Sequence, residues 1–137
     1  MTAITATARP GVRGRVVARW VLRTVLAAVF LMGGSSKVAG APEAVELFDD
    51  IGAGQGLRYL VGSLEVAGAV GLFVPRLARA AALGLAALMV GATVTNLAVL
   101  QVSPALPVVL GLTAACAAVL SRPVSRRRSA AARRHSR

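Results

Sequence analysis

The sequence predicts an all-α fold, a four-transmembrane-helix bundle with a short amphipathic helix in the first outer loop. First, 56% of the 137 residues are hydrophobic and 15% are charged, whereas soluble domains are about half apolar and carry about a quarter charged residues. Second, the chain contains several apolar stretches of about 20 residues, the length that crosses the hydrocarbon core of a bilayer. Third, small residues supply much of the apolar content, which suits helices that pack closely in lipid.

The apolar stretches define four predicted spans in chain order, at about residues 16–38, 57–74, 77–100 and 104–120. Pro75 separates the second span from the third, so these two should form a hairpin of adjacent antiparallel helices. Pro104 opens the fourth span, where a missing amide donor costs least. We therefore expect a membrane domain at residues 16–121, between a basic cytoplasmic N-terminal segment at 1–15 and a basic, disordered cytoplasmic tail at 122–137.

The first predicted loop contains the short helix. In PEAVELFDDIG, the apolar residues Ala44, Leu47, Phe48 and Ile51 recur at helical spacing, and the acids fall on the other side. A proline opens the stretch and a glycine closes it, as is typical of helix ends. We expect this helix to lie on the outer membrane surface and to close the bundle. A docking site for a partner is the alternative.

The basic residues predict the orientation. All of the 16 basic residues except Lys37 and Arg58 lie in the N-terminal flank up to Arg23, in the second loop or in the tail, and the five acids lie elsewhere. Because an excess of arginine and lysine marks cytoplasmic segments, we expect a multi-pass protein of the cell inner (cytoplasmic) membrane. Both termini would then be cytoplasmic, and the lipid bilayer would be the first partner.

The two ends of the chain also admit rival interpretations. The small residues 39–41 resemble a signal-peptide cleavage site, but Pro42 and the length of the preceding apolar run argue against cleavage. The arginine-rich tail resembles a nucleic-acid patch, but it has no interleaved aromatic residues and follows a membrane span. Attraction to anionic lipid headgroups explains the tail, so we do not expect nucleic acid as a partner.

Composition also limits the chemistry. A single cysteine, Cys116, excludes an internal disulfide, and the single histidine, His135, leaves no constellation for structural zinc or an iron–sulfur cluster. Cys116 is expected to pack inside the fourth span. No catalytic residue and no cofactor is evident, so the chain is not expected to be an enzyme by itself.

One carboxylate, Glu65, stands inside the apolar stretch YLVGSLEVAG of the second span. A charge at the centre of a span costs about 2.5–3.5 kcal/mol on insertion scales, and Glu65 shares its helix face with glycine and alanine, which favour contact with another helix. Glu65 should therefore point into the bundle. Its predicted companions in a ligand-binding cluster are Lys37, Arg58, Thr93 and Asn96. The alternative is an ion pair with Lys37 that only fixes helix register.

The stretches GGSSK, FDDIG, GSLEVAGAVGLFVP and LAALMVGA, in this order, resemble the DoxX family and its DoxX-like relatives over roughly residues 20–121. The resemblance implies a small four-helix membrane protein. The family takes its name from a subunit of a thiosulfate:quinone oxidoreductase, and some relatives are implicated in oxidant-resistance membrane complexes. Lys37, Glu65 and Gly68 match recurrent family positions. Asn96 replaces a histidine of many relatives, which argues against a histidine-dependent proton relay.

The resemblance favours an accessory subunit of a membrane oxidoreductase system, with a quinone-like or small-molecule pocket around Glu65 and Lys37. Electrons would then come from a membrane or cytoplasmic oxidoreductase partner, and a second copy of the chain is a further partner to consider. The alternatives are a structural scaffold in which the two residues form a packing tie, and a small-molecule or proton-coupled carrier.

Overall fold

The computed structural model describes residues 10–121, including the side chains of residues 14–121. All the regular secondary structure in this part of the chain is helical and none of it is strand, so the predicted all-α class is confirmed. The helices are α1 (Pro10–Ala39), α2 (Pro42–Asp50), α3 (Gly54–Gly71), α4 (Ala78–Thr95), a π-helical segment (Asn96–Leu100) and α5 (Ala105–Leu120). The predicted tail at 122–137 and the first nine residues lie outside the described residues.

Glycine and proline set the boundaries of the short helix α2. Gly40 takes a positive φ of 77° after the end of α1, a conformation that glycine adopts without steric cost. Pro42 then occupies the first turn of α2, and Gly52 follows its end with a φ of 73°. Ala44 and Phe48 are buried. The predicted amphipathic helix is thus confirmed, and it packs mainly against α3.

Two helical stretches within residues 10–121 are long and apolar enough to cross a membrane, Gly14–Ala39 and Ala78–Leu100. The apolar helix Ala105–Leu120 is shorter. Helix α3 is not among these candidates because Gln55, Arg58 and Glu65 reduce its hydropathy. Length and composition therefore support a membrane protein, and they do not by themselves separate a four-span arrangement from one with fewer crossings.

The helices pack in two close pairs, α1 with α3 and α4 with α5. A Cβ added to Gly34 would lie 2.8 Å from the Gly62 carbonyl oxygen, so the backbones of α1 and α3 are in direct contact. The pairs meet around a shared apolar core that includes Leu26, Phe30 and Leu85. Helices α3 and α4 touch less extensively than the helices of either pair.

The bundle has two ends that differ in chemistry. We call the end where α2 lies the α2 end. At the opposite end, where α3 finishes and α4 begins, α1 and α5 are joined by a hydrogen bond of 2.8 Å from Arg23 Nη2 to Ser121 Oγ. Arg23 belongs to the flank of basic residues in the sequence, yet its side chain is only 8% exposed.

The prediction that Cys116 packs inside the bundle is wrong, because it lies on the exposed face of α5.

Candidate functional site

Glu65 and Lys37 form a largely buried ion pair between α1 and α3. Lys37 Nζ lies 2.8 Å from Glu65 Oε2, and the two side chains are 20% and 5% exposed, respectively. The ammonium also donates to the Gly33 carbonyl oxygen at 3.4 Å. Within the described residues, the hydrogen bond to this carboxylate uses Oε2 alone, so Oε1 keeps its capacity to accept a further donor.

The crossing of α1 and α3 explains why these two side chains meet. Gly34 and Gly62 allow the helix backbones to approach, and a Cβ on Gly62 would lie 2.9 Å from Lys37 Cβ. The lysine stem therefore starts beside Gly62, and its ammonium extends towards Glu65, one turn further along α3. Both partners are held by a helix contact that admits no larger residue at the crossing.

A cavity of about 990 Å³ lies beside the ion pair. It lies along α3 and α4, which touch each other at Gly68–Leu85 and Gly71–Ala81, and residues of α1, α2 and α5 complete its wall. Exposed leucines form its rim, including Leu64, Leu77 and Leu106. The cavity therefore opens sideways through the flank of the bundle. Its volume is at the upper end of the range of about 300–1,000 Å³ that is usual for small-molecule sites.

The polar groups of the cavity wall are concentrated towards the α2 end. Gly68 of α3 faces Leu85 of α4, and Gly71 faces Ala81. In this antiparallel register, Glu65 lies near the level of Leu88. Asn96 lies eight residues further along α4, about 12 Å closer to the α2 end at 1.5 Å per residue.

The polar wall residues are Lys37, Glu65, Thr95 and Asn96. From Gly68 to the opposite end, the wall contains only glycine and apolar side chains, namely Gly68, Gly71, Leu77, Ala80, Ala81, Gly84 and Leu85. The cavity wall is thus mostly apolar at both ends, and its few polar side chains lie between its middle and the α2 end. This arrangement suits an elongated molecule with a polar head and an apolar tail.

Helix α4 gives the cavity a smooth wall. Gly84 and Gly91 line it, and a Cβ added at either position would meet nothing within 4 Å. These glycines therefore leave open space in the cavity and do not serve a helix–helix contact. Gly34 and Gly62 differ from them, because a Cβ added at either position would lie less than 3.0 Å from atoms of the neighbouring helix.

The DoxX-like family model matches residues 21–119, a range that contains the ion pair and the whole cavity wall of the four long helices. The chain belongs to the DoxX-like family. Family membership, together with the apolar helices, indicates a membrane protein. Among curated proteins and solved structures, none matches the chain closely enough to serve as a relative.

The predicted site residues of this DoxX-like protein divide into two groups. Lys37, Glu65 and Asn96 line the cavity, although Asn96 lies about two turns away from the ion pair. Thr93 does not line it, and its hydroxyl donates to the Met89 carbonyl oxygen at 2.7 Å. Thr95 lines the cavity instead and was missed by the sequence reasoning. Its position four residues after Gly91, on the same helix face, is the signal that could have found it.

Arg58 of the DoxX-like chain serves the fold at the α2 end. Its side chain is 4% exposed, and its Nη1 donates to the Lys37 carbonyl oxygen at the end of α1. Its Nε donates to Gln55, whose amide in turn donates to Asp49 Oδ1 at 2.6 Å. The guanidinium also lies 4.2 Å from the centre of the Tyr59 ring. Arg58 therefore ties together the ends of α1, α2 and α3, and it does not line the cavity.

We expect Arg58→Met to lower the free energy of unfolding by about 2 kcal/mol, because a buried hydrogen bond from a charged group contributes about 1.5–3 kcal/mol. Equilibrium unfolding in detergent micelles measures the change. Arg79→Met, at the start of α4, is the matched control and should have little effect. Equal destabilisation by both substitutions would show that Arg58 has no special role.

Within residues 10–121, no group of three or more histidine, cysteine, aspartate or glutamate side chains is arranged to hold a metal ion. The site of the DoxX-like protein is instead an ion pair beside an apolar cavity. Such a site can bind and orient a ligand through one ammonium, one carboxylate and an amide, whereas the Thr95 hydroxyl already donates to the Gly91 carbonyl oxygen at 3.0 Å. Its chemistry favours recognition of a polar head attached to a hydrophobic body.

Proposed function

We propose that this DoxX-like protein is an accessory subunit of a membrane oxidoreductase system and binds a quinone-like molecule in the cavity along α3 and α4. The observation that carries the proposal is the one-sided polarity of the cavity. Its polar side chains, among them the Lys37–Glu65 pair and Asn96, lie between the middle of the cavity and the α2 end, and the rest of the wall is apolar. A quinone has the same division between a polar ring and an apolar tail.

The proposal places α1, α3, α4 and α5 across the inner membrane, with both chain ends in the cytoplasm and α2 on the outer side. Helix α3 can take part despite its charges because Arg58 and Glu65 are each only 4% exposed. The exposed face of α3 carries large apolar and aromatic residues, including Leu60, Leu64 and Val70. Lipid would therefore contact an apolar surface. The excess of arginine at the chain ends and in the α3–α4 loop supports the orientation.

Within this proposal, the Lys37 ammonium donates to a quinone carbonyl oxygen while Glu65 remains its counter-ion. The Asn96 amide nitrogen donates to the Ser103 carbonyl oxygen at 3.2 Å, and the amide oxygen keeps its capacity to accept a hydrogen bond. The sideways opening allows a ligand to enter from the bilayer. Electrons come from an oxidoreductase partner, and purification in a gentle detergent should retain that partner.

A structural scaffold is the second candidate, and the ion pair itself favours it. At 2.8 Å, Lys37 and Glu65 already satisfy one another, so the pair can fix the register of α1 and α3 without a ligand. The two functions differ in what the cavity does. A scaffold keeps its function when a larger side chain fills the cavity, whereas a quinone-binding subunit then loses its ligand.

We expect Gly84→Leu to weaken the binding of a short-chain quinone by tenfold or more, about 1.4 kcal/mol of binding free energy. The added side chain enters open space in the cavity, so the fold should be retained. Quinone titration of the purified protein by calorimetry measures the affinity. Gly56→Leu, which also enters open space but lies outside the cavity wall, is the matched control. Unchanged affinity in Gly84→Leu, or no binding by the parent protein, would favour the scaffold.

A further inference from the structure

Arg23 is a buried cation whose hydrogen bonds are incomplete. The guanidinium donates from Nη2 to Ser121 Oγ at 2.8 Å, and this hydroxyl donates onward to the Ala117 carbonyl oxygen at 2.6 Å. The side chain is 8% exposed, and its Nε is buried without a hydrogen-bond partner among the described residues. The end of α5 therefore satisfies only part of this group.

The chain has no acidic side chain near Arg23. Its five acids all lie between residues 43 and 65, and Glu65 is paired with Lys37. Lys37 is 14 residues further along α1, which places the pair about 21 Å from Arg23 at 1.5 Å per residue. The helix dipole places only about half a negative elementary charge at the C-terminus of α5. A second copy in the same orientation has the same acidic side chains at the same levels, so among these groups none balances Arg23, and an anion from another molecule would do so.

The surroundings of Arg23 indicate which anion this is. Arg15 and Arg19 precede it at four-residue intervals, so the three guanidiniums follow one face of α1. The ring of Trp20, the single tryptophan of the chain, lies 5.9 Å from the Arg23 guanidinium and is 47% exposed. Tryptophan is enriched at the level of lipid headgroups. Arg19, Trp20 and Arg23 thus combine positive charge with an interfacial aromatic residue at one level of the helix.

We propose that Arg19, Trp20 and Arg23 form a binding site for the phosphate of an anionic phospholipid in the leaflet from which α1 enters the membrane. The phosphate supplies the negative charge that the chain lacks at this level, and guanidinium groups bind phosphate with charge-assisted hydrogen bonds. The acyl chains lie along the exposed apolar face of α1, which includes Val17 and Val21. This site is separate from the cavity along α3 and α4 and does not depend on a ligand there.

Trp20 is a direct reporter because no other tryptophan contributes fluorescence. The full-length protein is placed in bilayers that contain brominated lipids, which quench a neighbouring indole. Brominated phosphatidylglycerol is compared with brominated phosphatidylcholine at low salt and at 1 M salt, where the Debye length is about 3 Å. We expect phosphatidylglycerol to be preferred about fivefold, which corresponds to about 1 kcal/mol from the one directly bound guanidinium of Arg23. We expect this preference to persist at high salt, because a bound phosphate is screened less than a distant charge.

Equal quenching by the two lipids, or a preference that disappears at 1 M salt, would overturn the proposal, because a screened attraction needs no bound phosphate. Absence of quenching by either lipid would instead contradict the membrane placement of α1. Inorganic phosphate is added as a further arm. Loss of the lipid preference at millimolar phosphate would show a free-anion site and overturn the assignment to a lipid.

Arg23→Gln should reduce the preference for phosphatidylglycerol to nearly equal quenching. The matched control, Arg79→Gln, removes a basic residue at the same end of the bundle without touching this site and should keep the preference. Retention of the preference in Arg23→Gln would contradict the proposal. The salt comparison on the unaltered protein decides the matter even where Arg23→Gln does not fold.

Discussion

Lys37→Met is expected to lower the free energy of unfolding by about 3–5 kcal/mol, the cost of removing one partner from a buried ion pair. The Glu65 side chain is 5% exposed, and the substitution removes the ammonium that lies 2.8 Å from its carboxylate. No other described cation donates to this carboxylate, so the charge must be protonated or left unpaired. Equilibrium unfolding in mixed detergent micelles provides the measurement.

The double variant Lys37→Met/Glu65→Leu is the control for this result. Replacing both charges with apolar groups of similar size removes the unpaired carboxylate, and such replacements of buried pairs are often neutral or stabilising. We therefore expect the double variant to recover most of the lost stability. A double variant as unstable as Lys37→Met would show that the loss comes from packing of the lysine stem against Gly62 and not from the charge.

Gly34→Ala is expected to destabilise the bundle by about 3 kcal/mol, the upper part of the usual range for overpacking. The new methyl group would lie 2.8 Å from the Gly62 carbonyl oxygen and 2.9 Å from Val66 Cγ2. A backbone atom cannot move aside as the end of a flexible side chain can, so α1 and α3 must separate. Their separation should also lengthen the Lys37–Glu65 ion pair.

Gly84→Ala is the matched control for Gly34→Ala. It makes the same chemical change in α4, where a Cβ meets nothing within 4 Å, and alanine has a higher helix propensity than glycine. We expect its unfolding free energy to equal or exceed that of the parent protein. Similar destabilisation by the two substitutions would contradict the assignment of Gly34 to a helix crossing and Gly84 to a cavity wall.

Local sequence patterns were sufficient to predict the helices and the contact between Lys37 and Glu65. Pro42 and Gly52 bracket α2 in the sequence as they do in the structure. The Lys37–Glu65 contact could be inferred because a carboxylate in an apolar helix requires a partner, and the glycine-rich face of α3 identified the side on which that partner lies. Both inferences rest on the cost of burying a charge, which depends little on the details of packing.

The remaining features depend on contacts between distant parts of the chain. Thr93 was expected at the site, but Thr95 lies on the cavity wall because the α4 face towards the cavity includes Gly84 and Gly91. Arg23 has the sequence signature of a flanking charge, and only its contact with Ser121 at the end of α5 places it inside the bundle. The cavity itself follows from the way α3 and α4 pack, which no local pattern specifies.

The affinity of a short-chain quinone for the parent protein and for Lys37→Met/Glu65→Leu is the most direct test of the central claim. That claim is that the ion pair is the polar contact of a ligand cavity and does more than hold two helices in register. The account predicts that the double variant folds and binds quinone about tenfold more weakly, a loss of about 1.4 kcal/mol. A folded double variant with the affinity of the parent protein would contradict it.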